Sequence, residues 1–516
     1  MKNIFKFLLA GAFVFVFMPG CTNLDEEVFS EFTDENFPTT EQQFISALGV
    51  TYTSLYAFGG HNGYLSLQEV SSDEIMIPQR GSDWLDGGIW LRVHRHEMTP
   101  AEGALENAWN WAYSGISDCN RVTALFEALV AEGKVDAGVA ASFIAEVKTI
   151  RALYYYWLLD LFGNVPIVTS FAGADPAPPT VDRADVYAFV ESELLENVPN
   201  LSRAVDQSTY ARMNYYTGQA ILAKLYLNAE VYTGTPQWSK CVAACDEVIA
   251  GGYSLEGDYF LNFDTNNEPS KENIFVIPYD ENQAQGFFLP AMTLHYSSQE
   301  TFNLTFQPWN GYCTLQEFYN SYDDSDRRKG EYGNQQVRGN FHAGPQYKSD
   351  GVTPIIDSGF DDPDGPEIVF TPEINEHFPG AYRQAGARVG KFEFALGSTN
   401  NLNNDFPVFR FADILLAKAE ALWRMNPADP DALALVNQVR QRAGVDPYTE
   451  LTSDNILAER GRELFYEGWR RQDLIRLGKW TSEWDFKPAS DEHTELMPIP
   501  QNQLNANPNL RQNPGY

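Results

Sequence analysis

From about Glu41 to Gly251 the apolar residues recur at spacings of three and four, and this period constrains the chain to amphipathic helices. One stripe runs Leu105, Ala108, Trp109, Ala112, Tyr113, Ile116. Another runs Phe143, Val147, Ile150, Leu153, Tyr154, Trp157, Leu158, Leu161. Stops such as Gly163-Asn164-Val165-Pro166 and the proline-rich Pro176–Pro179 end these segments. Within Gln219–Tyr253, Leu222, Ala223, Tyr226, Ala244 and Val248 fit the large and small positions of a tetratricopeptide-type helix pair. Tyr226 and Ala244 stand further apart than that repeat expects, so its connecting loop is predicted to be enlarged. A second pair, Ala412–Arg424 and Asp431–Ala443, is separated by Asn426-Pro427-Ala428-Asp429-Pro430. Such pairs bury their apolar faces by stacking on one another, which predicts a mainly α superhelix.

The helical period disappears between residues 252 and 404, where Gly, Asn, Asp, Pro and aromatics dominate and Ile274-Phe275-Val276-Ile277 reads as extended. We expect a loop-rich insertion with a few short strands, laid over the scaffold; ordered loops on rigid scaffolds are where binding residues concentrate. Residues 70–100 read as a second such excursion, within an N-terminal scaffold of residues 41–251. Residues 405–516 form the C-terminal helical region.

Ahead of the scaffold, Lys2 and Lys6 precede an apolar run Phe7–Phe17 and then Met18-Pro19-Gly20-Cys21. Eleven apolar residues are too few for a membrane span, so residues 1–20 are predicted to be a cleaved signal ending in a lipobox, with Cys21 acylated. Residues 21–40 then form an acidic tether, and the membrane is reached through the lipid anchor only. A formal charge of −34 repels phosphate backbones and anionic headgroups, which excludes nucleic acid as a natural partner and suits neutral ligands. Cys119, Cys241, Cys245 and Cys313 are too few to frame a disulfide fold. Cys241 and Cys245, four apart on a helical pattern, read as small buried apolar residues.

No phosphate-binding glycine loop, nucleophile elbow, H-E-x-x-H or paired C-x-x-C occurs. Pro100 stands where a second zinc histidine would follow His96-Glu97, and His94 and His96 are expected on one face of a strand. The turn Asp361-Asp362-Pro363-Asp364-Gly365 with Glu367 offers the hard oxygens Ca²⁺ prefers, but not the full calcium loop. No cofactor is expected, and Ca²⁺ at this turn is the one metal candidate.

The two excursions are dense in aromatics: Trp84 and Trp90 among Asp73, Glu74, Arg80, Asp83 and Asp86, then Tyr296, Phe302, Phe306, Trp309 and Tyr312. Sugar rings present apolar C–H faces and polar edges, which aromatic platforms flanked by carboxylates, amides and guanidinium groups hold well. At ~25 cal/mol per Å², a ring covering ~50 Å² of sugar contributes on the order of 1 kcal/mol. A few such platforms give the modest affinity that suits capture and release.

The C-terminal run Asn455–Arg476, with Glu459-Arg460-Gly461-Arg462-Glu463-Leu464 and Trp469-Arg470-Arg471, carries an apolar stripe of Leu457, Leu464, Trp469 and Ile475, with Glu467 and Arg471 as an i, i+4 pair. Together with Leu496-Met497-Pro498-Ile499-Pro500 and the terminus Asn507–Tyr516, it closely resembles the SusD/RagB family of outer-membrane lipoproteins. Arg151 with Tyr154-Tyr155-Tyr156, Phe162–Pro166, Ala220–Leu227, Phe409–Leu416 and Val439–Gly444 extend the resemblance along the mature chain. The resemblance implies a surface-exposed, lipid-tethered protein on tetratricopeptide-like helix pairs, acting as the lid of a SusC-like TonB-dependent transporter. Its cargo would be an oligosaccharide and its role binding, not catalysis. By order along the chain, Asp73, Arg80, Asp83, Trp84, Trp90, Tyr296 and Trp309 occupy places comparable to the sugar site of starch-binding members, with Trp84 beside Asp83 the strongest choice. Two rivals stand: a peptide-capturing, RagB-like protein of the same architecture, and a glycoside hydrolase.

Overall fold

The computed structural model describes residues 41–357, 359 and 365–516. Its backbone is a stack of helices in which each packs on the next. Gly103–Ala131 lies against Ala137–Leu161, which packs on Arg183–Asn197; Tyr215–Leu227 packs on Trp238–Ile249, which packs on Phe411–Met425, and that on Pro430–Ala443. Ends are set by local chemistry. Asp136 accepts from the amides of Gly138 and Val139, Asn214 from Thr217, and Asp429 from Asp431 and Ala432, each satisfying donors that a helix start leaves free. The enlarged connection in the first predicted pair holds a short extra helix, Ala229–Thr233.

Two strand pairings decide where the loops go. Asn273–Ile277 pairs antiparallel with Phe406–Arg410, all buried, and so fastens the beginning of the insertion to its end. Ile75–Met76 pairs with Cys313–Thr314, and Leu315 N–H and Thr314 Oγ1 both donate to the Glu74 carbonyl at 3.2 and 2.7 Å. This second pairing ties the 70–100 excursion directly to the insertion. Aromatics fill the core, including fully buried Tyr154, Tyr155, Tyr156 and Trp157.

Two expectations are corrected. Residues 89–94 form a helix, not a strand, and His96 follows it at φ 57°, so the two histidines do not share a strand face. Both are buried and held by main-chain oxygens: His94 contacts those of Val70 and Asp485, His96 that of Ser71. Glu467 and Arg471 do not pair, because the helix ends at Leu464 and the chain turns through Tyr466 (φ 56°) and Gly468 (φ 78°) before Arg470–Arg476. Glu467 instead binds Arg410 at 2.7 and 2.8 Å, and Arg471 binds Asp160 at 2.9 Å. The run thus supplies buried charge to a network in which Arg410 also meets Glu463 and Arg328 spans Asp326, Glu459 and Glu463.

Cys119, Cys241, Cys245 and Cys313 are buried free thiols. Cys21 and the acidic residues Asp361, Asp362 and Asp364 lie outside the described residues.

Candidate functional site: an aromatic groove between two loops

The excursion and the insertion meet in an open groove of about 610 Å³, lined by His61, Ser82, Asp83, Trp84, Asp86, Tyr296, Gln307, Pro308 and Trp309. The excursion contributes a tight loop. Arg80 and Asp83 exchange main-chain hydrogen bonds at 3.1 and 3.0 Å around Gly81-Ser82, which throws Asp83 and Trp84 outward. Gly81, Trp84, Asp86, Gly87 and Gly88 all have φ between 39° and 80°. A non-glycine residue held there costs on the order of 1–3 kcal/mol and persists only where its surroundings over-determine it.

At Trp84 those surroundings are visible. The indole Nε1 donates to the Trp309 carbonyl at 2.7 Å, the ring lies edge-on to His61 and Tyr312, and it sits over Gly311, where a Cβ would come within 2.3 Å of Trp84 Cζ2. Trp309, 38% exposed, lies 6.5 Å from Trp84 between ring centroids and takes its position from its own amide, which donates to Ala291 O at 2.7 Å. Tyr296 donates its hydroxyl to Asp83 Oδ2. Burial, and then the Asp83 carboxylate, push that phenol up, so it stays protonated as a donor.

Of the seven predicted residues, Asp83, Trp84, Tyr296 and Trp309 line the groove. The other three do not. Trp90, 1% exposed, starts the buried face of its helix and lies under the groove, donating to Asp86 Oδ2 at 3.1 Å. Arg80, 2% exposed, points inward and binds the carbonyls of Ala385 and Tyr382, clamping the insertion to the loop. Asp73 accepts two 2.7 Å bonds from Arg470 and so belongs to the scaffold. Among the remaining aromatics, Tyr312 is sealed beneath, its hydroxyl 2.7 Å from Ser66 Oγ.

Sequence reasoning missed His61 and Gln307. His61 sits in Gly59-Gly60-His61-Asn62-Gly63, a break in the helical pattern that signalled a loop. Burial lowers its pKa, so the imidazole is neutral at pH 7 and offers both a donor and an acceptor. The groove therefore combines two indole faces and a phenol with carboxylate, amide and imidazole edges. Among the described residues no cluster of His, Cys, Asp and Glu could hold a metal ion.

A tetratricopeptide-like helical scaffold carrying a loop-built aromatic groove defines a class of helical binding protein. Residues 375–516 match the family model described as SusD family, and residues 34–227 match that described as starch-binding, associating with outer membrane. The chain belongs to the SusD/RagB family. The starch-binding protein SusD of Bacteroides thetaiotaomicron is 27% identical over 432 residues, covering 75% of this chain and 74% of that one. SusD-like protein P2 of Formosa agariphila is 23% identical, over 96% of this chain and 97% of its own.

Among solved structures, surface glycan-binding protein A from Bacteroides thetaiotaomicron in complex with laminarihexaose superposes with a TM-score of 0.73 at 23% identity, covering 92% of this chain and 99% of that one. A laminarin-binding SusD-like protein gives 0.72, also at 23%, over 92% and 100%. These likenesses are of fold. Among the described residues no helix is long and apolar enough to cross a membrane.

Proposed function

We propose that this protein captures neutral oligosaccharides in the aromatic groove and delivers them to a SusC-like TonB-dependent transporter, over which it acts as a lid. Acyl chains on Cys21 would hold it at the outer face of the outer membrane. One observation carries the reading: Trp84 and Trp309, 225 residues apart in sequence, stand side by side in an open groove whose edges are Asp83, Asp86, Tyr296 and Gln307. Indole faces cover the apolar side of a sugar ring, and the surrounding groups take its hydroxyls. The acidity of the chain favours uncharged over uronic or sulfated glycans. The relatives named for starch and laminarin support a glucan as the first ligand to try.

Affinity electrophoresis and calorimetry against a panel of starch, laminarin and other neutral glycans test the proposal. Binding to at least one, weakened in Trp309→Ala, is expected. No binding across the panel, with peptides bound instead, would replace it by peptide capture on the same scaffold. The lid is tested by co-purification with the transporter encoded beside the gene.

A further inference from the structure

A second cavity, of about 320 Å³, opens on the other strand pairing and shares no residue with the aromatic groove. Its walls come from the loop around Tyr210, the turn Gly252-Tyr253 and the segment leading into Asn273–Ile277. Asn273 belongs to this wall and is 8% exposed, yet neither its Oδ1 nor its Nδ2 has a hydrogen-bond partner. The polar side chains of Asn214, Tyr210 and Gln207 in the same wall are already partnered. Asn214 Oδ1 accepts from Thr217 and its Nδ2 donates to Tyr253; Tyr210 donates to Asp405; Gln207 donates to Glu268 at 2.6 Å. The strand register shifts directly after Asn273, an irregularity of the kind that re-aims a side chain. A buried primary amide with all its hydrogen-bonding capacity unused requires a partner.

We infer that this cavity is a second ligand site, taking a neutral, hydroxyl-rich molecule the size of a single sugar ring, with the Asn273 amide as its anchor. A primary amide places a donor beside an acceptor, the complement of two adjacent hydroxyls. Tyr210 and Tyr253 add aromatic surface. Lys271 with Asp206 and Glu268 leaves the walls without one dominant sign, which disfavours an ion. The volume lies at the lower end of small-molecule sites, enough for one ring and too small for a chain.

The test uses the full mature protein and saturation-transfer NMR with D-glucose, D-galactose and myo-inositol up to about 20 mM, where even a millimolar site is nearly filled. At least one should give a signal that survives in Trp309→Ala and falls about tenfold or more in Asn273→Leu. Val205→Trp, at an exposed position on the cavity's rim, should block it equally and does not touch the core. That variant decides the matter if Asn273→Leu fails to fold. No signal from any of the three, a signal lost in Trp309→Ala, or one indifferent to Val205→Trp would overturn the site. So would a crystal soak showing only ordered water on Asn273.

Discussion

The indole nitrogen of Trp84 donates to the main-chain carbonyl of Trp309 at 2.7 Å, so the two platforms of the groove are joined by a hydrogen bond that neither loop could form alone. One ring is thus both a binding surface and the strut that sets the other's position.

The two tryptophans should therefore differ on truncation. Trp309→Ala removes one exposed platform and should weaken glycan binding by about 1 kcal/mol, roughly fivefold, without changing the melting temperature. Trp84→Ala also frees a loop held at positive φ, and it should abolish measurable binding. Calorimetry on both variants checks this; equal losses would mean that Trp84 does not organise the groove.

Gly311 tests the same relationship without touching either ring. An added methyl meets Trp84 Cζ2 at 2.3 Å, so Gly311→Ala must displace the indole. Affinity should fall at least tenfold with overall stability within about 1 kcal/mol of the parent, read by calorimetry and urea unfolding.

A buried carboxyl pair sets a pH dependence of stability. Glu69 accepts from Gly468 N–H at 2.6 Å and Glu74 from Tyr466 N–H at 3.3 Å, close to Arg470, Lys391, Glu467 and Asp73. Burial, offset in part by the Gly468 amide, raises Glu69 from 4.5 to about 8, and burial together with Glu69 raises Glu74. The folded-state value lies above the unfolded one, so this stabilisation is complete below about pH 4.5 and is lost as pH rises towards 8. Glu69→Gln, which mimics the protonated acid, should raise the melting temperature at pH 8, by on the order of 2 kcal/mol in stability, and change it little at pH 4.5. A stability difference that is flat with pH would refute the assignment.

Arg410 holds three buried carboxylates, Glu272, Glu463 and Glu467. Arg410→Met keeps most of the stem but strands those charges, and should cost about 3–5 kcal/mol in urea unfolding. Arg442 also binds Glu272 and Glu463, and Lys391 binds Glu467, so a loss below about 1 kcal/mol would show that these two cations suffice.

Much of the scaffold was legible because helix periodicity is local. The second pair, expected over Ala412–Arg424 and Asp431–Ala443, forms at Phe411–Met425 and Pro430–Ala443, with Asp429 as its cap. The charged C-terminal run was not legible in detail. Spacing alone suggested that Glu467 meets Arg471, but Tyr466 and Gly468 turn the chain and send the two to partners far away in sequence. At the site, residue chemistry nominated Trp84, Trp90, Tyr296 and Trp309 together, with Trp84 first. Nothing local distinguishes a platform from a core indole.

The sequence by itself determined the helical repeat, the loop-rich character of the two excursions and the pool of aromatics, since these depend on period and composition within a few residues. Only the tertiary structure decided which rings face solvent. The pairing of Ile75–Met76 with Cys313–Thr314 joins segments more than 230 residues apart, and that contact leaves Trp84 and Trp309 open while Trp90 and Arg80 are closed beneath them. Exposure is a property of what packs on top of a residue, and no stretch of chain carries that information alone.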